Sequence, residues 1–338
     1  MIVVMNSEAT SRHVATVIAR VEADGYQAHL AEGDNQTLIG VVGHSATPLK
    51  PENYATMDGV DKIVPVNVPY QLASRTFHPH DTLVQLNGSQ MGGNKVLVIA
   101  GPCSVESREQ IIETACAMKE AGATALRGGA FKPRTSPYSF QGHGEKGLQW
   151  LAEARQVTGL PIVTEVMDPA LVPMVCQYAD VLQIGARNMQ NFTLLNAAGE
   201  SQQTVLIKRG MSSSIEDLLM AAEYVLAKGN ERVILCERGI RTFETFTRNT
   251  FDLNAIPVLK HLTHLPIIAD PSHAVGKSEY VDAVARAAVA AGADGVIVEV
   301  HMNPAEAMSD GRQSLTPQGF QKMMDNIRRV AEAVDRTA

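Results

Sequence analysis

The chain has 338 residues, and 29 Lys and Arg against 36 Asp and Glu give it a formal charge of −7. With 45% hydrophobic and 19% charged residues, it is ordinary globular material with room for a sizeable core, and not a disordered or fibrous chain. The acidic balance argues against a general nucleic-acid binder, and no apolar run reaches the roughly 18 residues of a membrane span. Four scattered cysteines make no disulfide framework. Met1-Ile-Val-Val-Met5 runs at once into polar residues, unlike the apolar centre of a signal peptide. A reduced, cytoplasmic protein is expected.

Residues 1–70 read as a small βαββαβ unit of ferredoxin-like type. Its elements are a strand at Ile2–Met5, a helix from Glu8 to about Asp24, strands at Gln27–Ala31 and Thr37–Val42, a short helix near Glu52–Met57 and a strand at Lys62–Val66. Residues 71–95 form a linking segment in which Asn87-Gly88 marks a β-hairpin. In a barrel protein such a hairpin is placed to plug the N-terminal end.

From residue 96 to 338, short apolar runs begin at Val96, Ala123, Pro161, Val181, Thr204, Arg232, Pro266 and Gly295. Helical stretches separate most of them; Ser107 with Gln110 resembles a capping box. Glycines at 122, 159, 199, 229 and 292 stand where helices are expected to stop. Eight strands, continuously apolar as in a covered parallel sheet, alternate with helices over the ~250 residues typical of a (β/α)8 barrel. A doubly wound open sheet fits less well, because Gly101-Pro-Cys-Ser104 after the first strand is no dinucleotide loop. Cys116, Cys176 and Cys236 read as core residues, and Ser212-Ser-Ser214 as a helix N-terminus with Asp217 completing a capping box.

Barrel enzymes carry their chemistry at the C-terminal ends of the strands. Here the runs end in Cys103, Arg127, Glu165, Ala186-Arg187, Lys208-Arg209, Glu237-Arg238, Asp270-Pro-Ser-His273 and Glu299-Val-His301, with Lys132-Pro-Arg134-Thr135-Ser136 just beyond the second. Seven cations, Arg127, Lys132, Arg134, Arg187, Lys208, Arg209 and Arg238, thus gather on one rim of an acidic protein. Any one of them can pair with a neighbouring acid. All seven together point to anionic ligands, because a partly buried charge without a partner costs several kcal/mol. Cys103, His273, Glu299 and Asp310 of Ser309-Asp310-Gly311 offer sulfur, nitrogen and two oxygens to a divalent cation, a donor set suited to Mn2+, Fe2+, Co2+ or Zn2+. His301 is read as structural.

Six segments in this order resemble the 3-deoxy-D-arabino-heptulosonate 7-phosphate (DAHP) synthase family, in the type I beta subgroup with an N-terminal ferredoxin-like regulatory domain. They are Ala100-Gly-Pro-Cys-Ser104, Leu126-Arg-Gly-Gly-Ala-Phe-Lys-Pro-Arg-Thr-Ser-Pro137, Gln183-Ile-Gly-Ala-Arg187, Ile207-Lys-Arg-Gly210, Cys236-Glu-Arg-Gly239 and Asp270-Pro-Ser-His273. The resemblance implies condensation of phosphoenolpyruvate with erythrose 4-phosphate in the shikimate pathway, which leads to the aromatic amino acids.

It assigns phosphoenolpyruvate to Arg127, Lys132, Arg187, Lys208, Arg238 and the Ala186 backbone, and the phosphate of erythrose 4-phosphate to Arg134, Thr135 and Ser136. Asp270 joins the substrate-binding set, and Cys103, His273, Glu299 and Asp310 match the family's metal ligands. Lys132 is placed as proton donor and Glu165 to position water or Lys132. The resemblance also implies a homotetramer and an aromatic amino acid effector bound near His29 and Ala31. Alanine at position 31 leaves the effector's identity open. Two rivals are a 3-deoxy-D-manno-octulosonate 8-phosphate synthase, whose loop of Asn-Arg-Ser-Ser type differs from Lys132-Pro-Arg-Thr-Ser136, and a catalytically dead barrel, which would be expected to have lost ligands that all stand here.

Overall fold

The computed structural model describes the whole chain apart from residues 33–35, 44–48, 67, 133–135 and 137 and the side chain of Glu32. The chain divides into two compact units, Met1–Asp81 with Leu262–His264, and Thr82–His261 with Leu265–Ala338. The division at Asp81 shares the 71–95 segment between the two.

The first unit contains β1 (Ile2–Met5), α1 (Ser11–Ala23), β2 (Gln27–Glu32), β3 (Thr37–Val42), α2 (Glu52–Ala55) and β4 (Val60–Val64). Its sheet order is β2-β3-β1-β4 with every pairing antiparallel, the ferredoxin-like arrangement expected. α1 begins later than Glu8 because residues 6–9 form a turn, in which the Ala9 N–H donates to the Asn6 carbonyl at 3.1 Å. Thr10 then caps the helix in a reciprocal box with His13. Val3, Met5, Val17, Val21, Ile39, Val41 and Tyr54 form the core of this unit.

The second unit is a closed barrel of eight parallel strands: β7 (Leu97–Gly101), β8 (Ala125–Arg127), β9 (Ile162–Glu165), β10 (Val181–Ile184), β11 (Thr204–Lys208), β12 (Val233–Glu237), β13 (Ile267–Ala269) and β14 (Gly295–Glu299). β14 pairs back onto β7 and so closes the ring. Each strand serves two apolar layers by alternation. Leu97 and Ile99 of β7 belong to the barrel interior with Val163, Val181, Leu206, Ile234, Ile268 and Ile297. Val96, Val98 and Ala100 instead meet the surrounding helices through Met118, Val289 and Phe320. This two-sided burial is why the runs are apolar throughout.

Around the barrel stand α3 (Arg108–Ala121), α4 (Glu145–Thr158), α5 (Val172–Cys176), α6 (Phe192–Glu200), α7 (Ile215–Leu226), α8 (Ala255–Leu262), α9 (Pro271–Val275), α10 (Ser278–Ala290) and α11 (Pro317–Ala333). Gly122 and Gly159 end α3 and α4 in the left-handed conformation. Gly199 does not end a helix, because α6 continues through it to Glu200. There it lets Lys228 approach, whose Cβ would lie 3.0 Å from an added methyl. Ser214 and Asp217 form the expected capping box, whereas Ser107 caps α3 with no reciprocal bond from Gln110. Of the three cysteines read as core, only Cys236 is buried; Cys176 is half-buried and Cys116 exposed. On α3 the buried face is taken by Ile111, Thr114, Ala115 and Met118, and this turns position 116 outward.

β5 (Val84–Leu86) and β6 (Ser89–Met91) form the hairpin. Asn87 and Gly88 both have positive φ, 39° and 84°, the signature of a type I′ turn. Val84, Leu86 and Met91 join the barrel-interior cluster, and the Met91 Cε lies 3.2 Å from where a Cβ on Gly295 would stand, at the first residue of β14. The hairpin therefore plugs the N-terminal mouth and leaves the carboxyl ends of the strands open. Met91→Ala should lower unfolding free energy by about 2–5 kcal/mol. Gly88→Ala, with nothing near its Cβ, should cost only about 1–2 kcal/mol of left-handed strain. Denaturant titration of both variants checks the order.

Candidate active site

Close backbone approaches build the open end of the barrel. Gly101 has φ +153°, and a Cβ there would lie 2.1 Å from the Arg127 carbonyl oxygen. Only glycine lets the ends of β7 and β8 meet in this way. The approach delivers Cys103 to the second strand's cations, where Lys132 Nζ donates to the Cys103 carbonyl at 2.8 Å and lies 3.1 Å from Sγ. At Gly185, just after β10, a Cβ would instead meet a side chain, the Glu165 carboxylate, with Oε1 2.0 Å away.

A cavity of about 260 Å3 opens here. Its lining includes the cations Arg127, Lys132, Arg187, Lys208, Arg238 and Arg248 against the carboxylates Glu165 and Asp310. Gln183, Ala186, Met211 and His273 also face it. Lys208 is bonded to the fully buried Asp270, which also accepts from His273 Nδ1 at 2.7 Å and caps α9. Although burial opposes it, His273 and Lys208 hold the Asp270 carboxyl well below the usual carboxylate range. Burial lowers the His273 imidazole, against the opposing pull of the Asp270 and Glu299 carboxylates. Arg127 Nη2 lies 3.3 Å from Glu299 Oε1. Arg127 Nε and Nη1 and Arg238 Nη1 are buried with no hydrogen-bond partner among the described residues. Such a surplus of donors suits multiply anionic ligands, each charge-assisted bond contributing about 1.5–3 kcal/mol.

Beside this cavity, donor atoms of Cys103, Glu299 and Asp310 all lie within 4.8 Å of one another. His273 is not one of that mutually close group, though its Nε2 is 3.3 Å from Glu299 Oε1. Burial, and next the Glu299 carboxylate, push the Cys103 thiol up to about 12. A divalent cation would reverse that balance by stabilising the thiolate. A buried thiol, two carboxylates and an imidazole are a donor set that fits a transition-type divalent ion.

Not every expected residue faces the cavity. Arg209 points away from it, because Lys208 and Arg209 alternate at the end of β11. Arg209 Nη1 pairs with Glu237 and Asp252, each at 2.8 Å, so this cation is answered internally. Arg134 and Thr135 lie outside the described residues. Ser136 is exposed and its hydroxyl accepts from the Tyr138 N–H at 3.3 Å. His301 turns toward Glu106, 3.3 Å away. His29, half-buried, and Ala31, buried, stand on one face of β2 in the other unit. Arg248, Gln183 and Met211 were not anticipated. Arg248 comes from the long loop after β12, beyond any strand end, so the rule that found the other cations passes over it.

Residues 81–336 match the DAHP synthetase I family, and residues 1–68 match the DAHP synthase ferredoxin-like domain. The phospho-2-dehydro-3-deoxyheptonate aldolase of Thermotoga maritima is 46% identical over 99% of this chain and 98% of its own length. The crystal structure of the T. maritima DAHP synthase superposes with a TM-score of 0.79 at 45% identity, covering 99% of this chain and 98% of that one. A 2-dehydro-3-deoxyphosphooctonate aldolase of Nitratidesulfovibrio vulgaris is more distant, 36% identical over 64% of this chain and 85% of its own length. With both segments matched and a relative aligned over nearly the full length, the chain belongs to the DAHP synthetase I family.

Proposed function

We infer that the protein is a DAHP synthase, joining phosphoenolpyruvate to erythrose 4-phosphate and water to give DAHP and inorganic phosphate in the shikimate pathway. The observation that carries this reading is the cation-lined cavity next to the Cys103, Glu299 and Asp310 donors, in a chain aligned over nearly its whole length with a DAHP synthase. The octulosonate relatives align over a smaller part of the chain. Assay with phosphoenolpyruvate and either erythrose 4-phosphate or arabinose 5-phosphate tests it: turnover should require the four-carbon aldose, and preference for the five-carbon one would overturn it.

Within this reading Arg127, Lys132, Arg187, Lys208 and Arg238 hold the phosphate and carboxylate of phosphoenolpyruvate, assisted by the Ala186 backbone. Asp270 fixes Lys208 within the same set. Arg134, Thr135 and Ser136 take the phosphate of erythrose 4-phosphate. Cys103, His273, Glu299 and Asp310 hold one Mn2+, Fe2+, Co2+ or Zn2+ ion, which when bound supplies Lewis acidity at the aldehyde oxygen.

Carbon 3 of phosphoenolpyruvate attacks the aldehyde, and water adds at carbon 2 before phosphate departs. Lys132 Nζ, held against the Cys103 loop, gives its proton to the forming alkoxide. Glu165, at the end of β9 and in the cavity wall, orients that water or Lys132. The ferredoxin-like unit takes an aromatic amino acid near His29 and Ala31 and restrains the rate. Family membership supports a homotetramer in the cytoplasm. No helix among the described residues is long and apolar enough to cross a membrane.

Lys132→Ala should lower kcat by about 10²–10⁴-fold, as loss of a general acid does, measured by phosphate release. Metal binding must displace the Cys103 proton. Below about 12, apparent affinity should therefore rise with pH by about one tenfold step per unit from this group, a step that Cys103→Ala loses in chelator-competition titrations. Millimolar tyrosine or phenylalanine should slow the full-length enzyme, and removal of residues 1–70 should abolish that inhibition.

A further inference from the structure

Asp310 adopts the left-handed conformation, φ 51° and ψ 28°, at the head of a single 3-10 turn, Gly311–Gln313. Gly311 permits the turn because a Cβ there would lie 2.1 Å from the Pro304 carbonyl oxygen. The Gln313 N–H closes it by donating to the Asp310 carbonyl at 3.1 Å. The backbone after the turn runs beside the end of β14, where the Leu315 N–H donates to the Glu299 carbonyl at 2.9 Å. Three residues beyond Asp310, a 2%-exposed glutamine is thereby set against a 0%-exposed glutamate.

The amide of Gln313 is used at both ends. Nε2 donates to Glu299 Oε2 at 2.7 Å, and Oε1 accepts from Arg248 Nη1 at 2.9 Å. Only one orientation of the amide satisfies a carboxylate and a guanidinium together. Because Oε2 is occupied, Oε1 is the oxygen of Glu299 with no hydrogen bond, and it faces Arg127 Nη2 and His273 Nε2, each at 3.3 Å. Arg248 reaches Gln313 from the loop after β12, which is bound to α9 through the Arg248 N–H and the Val275 carbonyl at 3.0 Å. Arg248 Nη1 also lies 3.5 Å from Asp310 Oδ1. Glu299, Gln313, Arg248 and Asp310 thus form a chain that begins and ends on carboxylates of the donor cluster.

We propose that Gln313 is a positioning residue: it holds Glu299 with Oε1 turned to the metal donors and ties that carboxylate to Arg248 in the cavity wall. This rests on the metal-site reading above and adds to it a residue that touches neither ion nor substrate. Outer groups that orient a ligating carboxylate typically govern about 10–100-fold in metal affinity.

The test uses full-length protein stripped of metal and titrated with Co2+ against a competing chelator. Gln313→Met, similar in size but able to make neither bond, should bind Co2+ about 10–100-fold more weakly than wild type. It should also show an altered thiolate-to-cobalt absorption band. Because losing a bond to a buried carboxylate lowers the melting temperature of the metal-free form, Co2+ binding is compared at a temperature where both proteins are folded. Should Gln313→Met fail to fold, Gln313→Asn keeps an amide in the slot but is one methylene too short to span both partners, and should show the same loss. A folded variant that binds Co2+ within about twofold of wild type, with an unchanged band, would overturn the proposal. Wild-type protein that takes up no Co2+ overturns the metal-site reading itself, an outcome separate from equal loading of wild type and variant.

Discussion

A carboxylate sealed from water costs several kcal/mol unless its charge is answered, and Glu299, fully buried on the barrel rim, is such a group. It ends β14, the strand whose pairing with β7 closes the barrel. Gln313 holds one of its oxygens; Arg127 and His273 stand over the other. Arg127 ties Glu299 to β8, and His273 ties it through Asp270 to Lys208 of β11. Burial raises the cost of the glutamate's charge, but His273 and Arg127 outweigh it and keep the carboxyl below its ordinary range. This one charge thus links the ends of β14, β8 and β11 through buried polar contacts.

The rim separates two kinds of cation. Arg209 is consumed inside the protein by Glu237 and Asp252, so it contributes to stability and presents no charge to the cavity. Arg127 and Arg238 retain buried nitrogens with no partner among the described residues. Those open valences are costly in the protein as it stands, and under the proposed function the anionic oxygens of the substrate would answer them. A net charge of −7 thus coexists with a cavity lined by six cations and two carboxylates.

Much of this was legible in the chain. The apolar runs, the Asn87-Gly88 turn and the charged residue ending nearly every strand express local rules: alternation, turn chemistry and the rule that barrel sites lie at the carboxyl ends of strands. The fate of neighbouring residues was harder to read. Lys208 and Arg209 are adjacent and both cationic, yet one faces the cavity and the other a pair of acids, because a strand directs consecutive side chains to opposite sides. Cys116 looked like core by residue type alone, whereas the helix rotates it into solvent. Gly199 looked like a stop, but its role is to admit a neighbouring lysine.

By itself the sequence determined the barrel, the ferredoxin-like unit and the set of groups able to meet anions and a divalent ion. Periodicity, turn preference and side-chain chemistry are properties of short stretches, and they survive without three-dimensional context. Only the tertiary structure decided which of those groups are spent on one another. That includes Gln313 between Glu299 and Arg248, Arg209 between Glu237 and Asp252 and the raised thiol of Cys103. These depend on burial and on distances between residues far apart in the chain, and neither is written in local sequence.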